Sequence, residues 1–291
     1  MSVDRPQPDH ARNMRLVGHC DQGGRPDGVQ IMVHRGYAYI GHMFSQGFSV
    51  IDVRDPKNPR AVNYLAAPPG TWNIHLQAHD DLLLVVNAKD MFAAAEFADE
   101  RAYYRGQLGS VVGTAQATAA RRDWTAGLAV YDISQPATPR RIGFMPVDGG
   151  GIHRIWYVGG RWAYVSALLD GFTDYIFMTV DMADPAKPRA AGRYWIPGMN
   201  LAAGETPAWP AASRYGLHHA IVNGDTAYAA GAMPAWSCST SPTVKTRSSL
   251  STATGARRSA AERTIACRCR IANCWWSSTR RCSIIRRTDS S

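Results

Sequence analysis

Three twelve-residue segments align without a gap: 48–59 (FSVIDVRDPKNP), 128–139 (LAVYDISQPATP) and 177–188 (FMTVDMADPAKP). Repetition constrains the fold more than any single motif, because a unit that recurs must bury its apolar faces against copies of itself. Each segment opens as an apolar, β-branched-rich strand, reaches an aspartate at its fifth residue and ends in a proline-containing turn. The aspartates are Asp52, Asp132 and Asp181. A carboxylate at a strand end accepts the backbone N–H groups of the turn that follows, so their expected role is structural.

A second unit repeats around the first: 28–42 (GVQIMVHRGYAYIGH), 73–87 (NIHLQAHDDLLLVVN), 151–166 (GIHRIWYVGGRWAYVS) and 216–231 (GLHHAIVNGDTAYAAG). Each reads as strand, tight turn and strand, the signature of a β-hairpin. A short strand such as RAVNYLAAP or RRIGFMPV follows each proline turn, giving four antiparallel strands per repeat. An all-β chain of four-stranded units predicts the blades of a β-propeller, here incomplete at three to four blades.

The segments FSVIDVRDPKNP, LAVYDISQPATP and FMTVDMADPAKP resemble the LVIVD repeat of bacterial β-propeller proteins, over about residues 28–231. The resemblance implies the propeller fold and no single activity. Residues 91–126 interrupt the second blade with an Ala-rich, mixed-charge stretch that reads as a helix followed by a flexible segment. Residues 196–215 form a long Pro- and Gly-containing connection of the kind that carries binding elements.

Charge divides the chain near residue 234. The net +9 lies wholly beyond that point, where eleven Lys and Arg stand against two acids, while residues 1–234 are neutral. Five of the six cysteines lie there too. Codon arithmetic explains the change. In the frame that joins the last base of each codon to the first two of the next, residues 236–247 permit LVVLDVADRQNP, a fourth copy of the repeat. The slots of Glu262, Arg263 and Thr264 permit Gly-Thr-His, and 269–279 permit LPDRELLVVVD, a further inner hairpin. The expected organisation is therefore a partial propeller over 1–234 and a frameshifted, disordered tail over 235–291. The Arg pairs and Cys267, Cys269, Cys274 and Cys282 are then codon by-products, with neither zinc-site spacing nor a nucleic-acid stripe among them.

One constellation in the body could carry chemistry. Aligning the hairpins puts Gln30, His75, His153 and His218 in one slot, and inner strands of a propeller converge on its channel. Imidazoles ringed around an axis suit Fe, Cu or Zn, so His75, His153 and His218 are candidate metal ligands. Carotenoid oxygenases and selenium-binding propellers are similar in that architectural respect alone. The structural alternative is that each histidine ties its strand to a neighbour through one ring nitrogen. His34, His42, His79 and His219 break the register and read as surface or hairpin residues.

Two functions follow from the body: a scaffold that binds a small molecule or protein at the propeller face, or a metal-dependent oxidoreductase or hydrolase. No GxSxG, P-loop, GxGxxG after a strand or HExxH accompanies them. No segment has the length of apolar sequence that a membrane span or signal peptide needs, so the expected setting is cytoplasmic, without membrane or nucleic-acid partners. The strand at 14–20 (MRLVGHC) is expected to close the ring by pairing with a last blade, a partner the frameshift removes.

Overall fold

A computed structural model of the chain describes residues 13–90, 123–210 and 215–231 in full, and 232, 236–239 and 251–252 by backbone alone. All belong to one compact unit, Met1–Thr252. The described residues are all-β apart from one 3-10 turn at Leu201–Ala203. Most of the insertion expected to be helical, 91–122, lies outside the described residues, as do 240–250 and 253–291 of the tail.

Blade 1 is β1 (Gly28–His34), β2 (Tyr37–His42), β3 (Gly47–Asp52) and β4 (Arg60–Ala66), antiparallel in chain order. Blade 2 begins with an interrupted inner strand, β5 (Thr71–Trp72) and β6 (Leu76–His79), and continues as β7 (Leu82–Lys89), β8 (Gly127–Asp132) and β9 (Arg140–Pro146). Blade 3 is β10 (Gly149–Trp156), β11 (Trp162–Leu169), β12 (Ile176–Asp181) and β13 (Arg189–Tyr194). A fourth sheet has β14 (Gly216–Asn223), β15 (Thr226–Ala232), β16 (Trp236–Ser239) and β17 (Ser251–Thr252), so strand pairing runs past residue 234. This is the incomplete propeller expected, with third strands where the repeats place them. Blades 2 and 3 are further joined into one sheet by Gly151 opposite Ala88, at a point where any Cβ on Gly151 would collide with the Ala88 backbone.

Burial follows the stacking. The third strands β3 and β12 are buried at all six positions, because a neighbouring element covers both of their faces, whereas the outer strands β4 and β13 are largely exposed. Between blades 1 and 2 lies a core of Tyr39, Phe48, Val50, Leu76, Leu83, Val85, Ala129 and Ile133. A larger core of the same aliphatic and aromatic kind joins blades 2, 3 and 4. The innermost strands pack on one another in order, β1 on β6, β6 on β10 and β10 on β14.

Candidate functional site

All four inner strands lose regular pairing at the hairpin slot that the alignment singles out. The bulged residue is Val29 beside Gln30 in β1, His153 in β10 and His218 in β14. In blade 2 the strand breaks between Trp72 and Leu76, with His75 in the gap. An extra residue at such a point re-aims the side chains beside it. Gln30 and His75 then do the same work. Gln30 Oε1 accepts the Leu76 N–H of blade 2 at 2.7 Å, and His75 Nδ1 accepts the Ile155 N–H of blade 3 at 3.2 Å. Gln77, two residues on, accepts the Tyr157 N–H at 2.8 Å.

His75, His153 and His218 are brought into one neighbourhood with two residues that the slot alignment leaves out, Arg154 and His219. Ring centroids lie 5.0 Å apart for His153 and His218 and 5.7 Å apart for His75 and His219. The Arg154 guanidinium donates to His218 Nε2 at 3.4 Å, and His219 Nε2 donates to the Ile155 carbonyl at 3.2 Å. His75 is 3% exposed, Arg154, His153 and His219 are half-buried, and His218 is exposed, so the group runs from a buried floor to an open rim.

Burial, then the Arg154 charge and the His219, His153 and His218 rings, push His75 down to about 2, so its ring is neutral. Since Nδ1 accepts a backbone proton, the neutral ring carries its own proton on Nε2. Burial lowers His219 as well, its hydrogen bond to Ile155 opposing and Arg154 adding to the fall. Among the described residues no group of three or more His, Cys, Asp or Glu is placed to hold a metal ion.

Two expectations about the other histidines change. His219 is no surface residue: the bulge at His218 turns it inward against His75 and Trp156. His42 is fully buried at the end of β2, its Nδ1 3.1 Å from Asp27 Oδ1 and its Nε2 2.8 Å from Ser49 Oγ. That is the connectivity of a Ser-His-Asp triad. Ser49 is 1% and His42 0% exposed, so no substrate carbonyl can reach the hydroxyl. Asp27 is meanwhile committed to the N–H groups of Phe44 and Ser45, both at 2.6 Å. Burial alone would raise Asp27, but the Ser45 hydroxyl and those N–H groups outweigh it and hold the carboxyl at about 2. The network closes the β2–β3 turn.

The LVIVD repeat family matches residues 27–64 and 122–144, which span blade 1 and the third and fourth strands of blade 2 except for the last two residues of β4 and of β9. The chain carries LVIVD repeats. No curated protein matches the sequence. Among solved structures the chain is similar to the N-terminal domain of Nup159, at 6% identity and a TM-score of 0.31, over 73% of this chain and 60% of that one. It is similar also to a chain of the S. cerevisiae assembly of Dbp5 with Nup159, Gle1, IP6 and ADP, at 5% identity and a TM-score of 0.28, with the same coverage. The chain thus spans about 60% of the length of either. No helix among the described residues is long and apolar enough to cross a membrane, a statement that does not extend to strands.

The LVIVD aspartates behave as capping groups. Asp52, Asp132 and Asp181 each accept the N–H two residues on, from Arg54, Ser134 and Ala183, at 2.8–3.1 Å. Across the fourth strand, an arginine that follows the final proline of every repeat, Arg60, Arg140 or Arg189, stands opposite the aspartate. Hydrogen bonds from Arg54 and Arg161 hold Asp52 and Asp181 at about 2. All three carboxylates are thus spent on the turn and its flanking arginines.

Proposed function

We propose that this LVIVD-repeat chain is a binding scaffold, and that the cluster of Arg154, His75, His153, His218 and His219 receives an anionic group, a carboxylate or a phosphate, from a small ligand or a protein partner. The hydrogen bond from the Ile155 N–H to His75 Nδ1 carries this reading. A metal would need a lone pair on Nε2, and the tautomer that accepts at Nδ1 has a proton there instead. A divalent cation would also sit beside the Arg154 charge, which already acts on His75 and His219. An anion meets the opposite field and can be bound by a guanidinium in a forked, charge-assisted geometry.

The experiment titrates the purified full chain with inorganic phosphate and, separately, with acetate, following the histidine ring signals by NMR. Saturable shifts at His218 and His219 that weaken at least tenfold in Arg154→Gln support the scaffold reading. One tightly held transition metal per chain, lost in His75→Ala, would establish the metal reading in its place, and silence toward both anions would remove the site.

A further inference from the structure

Resting on the scaffold reading, we infer that the anion is a carboxylate, that both its oxygens take the Nε–Nη2 edge of Arg154, and that it displaces the His218 ring now holding that edge. The Arg154 Nε is sealed from solvent and has no hydrogen-bond partner among the described residues. A buried donor without an acceptor is costly to keep. In a guanidinium the Nε–H and one Nη2–H point side by side along one edge, a fork that matches the two oxygens of a carboxylate. Nη2 donates to His218 Nε2 at 3.4 Å, beyond the usual range of about 2.7–3.2 Å, and the His218 ring is exposed. A neutral lone pair at the rim thus stands where a carboxylate oxygen would make a shorter, charge-assisted bond.

His75 supplies a second donor in the same neighbourhood. The N–H that its Nδ1 accepts belongs to the peptide joining Arg154 to Ile155, so its ring is tied to the Arg154 backbone. The carbonyl of Ile155 is held in turn by His219 Nε2, whose ring stands 5.7 Å from that of His75. Acceptance at Nδ1 leaves the His75 proton on Nε2, and no described residue accepts it there.

Charge and oxygen count select a carboxylate over a phosphate. The guanidinium brings one full positive charge, and burial above all keeps the His75 ring neutral, so that ring adds a donor and no charge. A carboxylate answers with one negative charge and two coplanar oxygens. A phosphate carries about 1.5–2 negative charges and three strong acceptor oxygens at neutral pH. The surplus charge and the third oxygen would leave water without an equal return. Burial already lowers the Arg154 guanidinium, a charge that one anion of matching size relieves.

The test follows the histidine ring signals of the full chain by NMR at neutral pH during titration with acetate, acetamide and inorganic phosphate. Acetate is expected to bind at least tenfold more tightly than either of the others. Arg154→Lys, which keeps the charge and removes the fork, should weaken acetate at least tenfold, and His218→Ala should tighten it. The α-amide of N-acetylglutamate distinguishes the sources: binding comparable to acetate supports a carboxylate on a protein side chain, and binding of acetate alone supports a free small acid. Phosphate bound as tightly as acetate, and weakened by Arg154→Gln, leaves the scaffold reading standing and overturns the carboxylate. Full acetate affinity in Arg154→Lys overturns the fork, and equal or weaker affinity in His218→Ala overturns the displacement. Silence toward every anion removes the scaffold reading as well.

Discussion

His75 of blade 2 accepts the backbone N–H of Ile155 of blade 3 through Nδ1, just as Gln30 of blade 1 accepts that of Leu76 of blade 2. A histidine and a glutamine share one slot because each presents a hydrogen-bond acceptor at a similar reach from the backbone. The slot is a blade-to-blade tie, and in the later blades the same position opens onto Arg154 and the exposed His218.

Replacing His75 by alanine leaves the buried Ile155 N–H without its acceptor, which costs about 1–3 kcal/mol. His75→Gln, the residue found in blade 1, should recover most of that loss. Urea midpoints for the two variants check it, and equal losses would remove the bridging role.

Acid should weaken the fold above the ordinary carboxylate range. His75 sits at about 2 in the folded chain and near 6.5 when unfolded, so between those values the unfolded state binds the extra proton. Stability is then complete above about pH 6.5 and falls by about 1.4 kcal/mol per pH unit as pH drops. Burial lowers His42 and His219 in the same direction. Asp27, Asp52 and Asp181, held at about 2, contribute above the ordinary carboxylate range and lose that contribution only as pH falls below about 4 toward 2. Urea unfolding from pH 7 to 4.5 should show the slope, and His75→Gln should flatten it.

Ser49 should not behave as a nucleophile despite its hydrogen bond to His42. An organofluorophosphonate probe is expected to leave the folded chain unlabelled by mass spectrometry. Ser49→Ala should instead lower stability by about 1–2 kcal/mol, since it takes a partner from a buried imidazole. Stoichiometric labelling that Asp27→Asn abolishes would make the triad catalytic.

Gly143→Ala should destabilise by about 1–3 kcal/mol, because the added methyl meets the Pro185 carbonyl and backbone cannot step aside as a flexible side chain can. Gly150→Ala, whose neighbours are Leu168 side-chain atoms, should cost less. Thermal midpoints of the two variants decide it.

The blades were legible in the sequence because strand and turn chemistry are local. Val50, Val130 and Val180 are buried in apolar strands, Asp52, Asp132 and Asp181 cap turns two residues away, and each closing proline stands directly before the fourth strand, all within a dozen residues of one another. The slot shared by Gln30, His75, His153 and His218 was legible for the same reason, as a recurrence at fixed distance from a hairpin. Tertiary structure alone decided what those side chains face. A bulge of one residue at His218 turns His219 inward, and stacking of β10 on β14 puts Arg154 between rings that the alignment treats as a set of their own. His42, set aside as a hairpin residue, is buried because Asp27, fifteen residues earlier, and Ser49, on the next strand, satisfy both its nitrogens. Periodicity records which residues are equivalent within a blade. The charge and hydrogen-bond partner each one meets belong to the neighbouring blade, and stacking sets them.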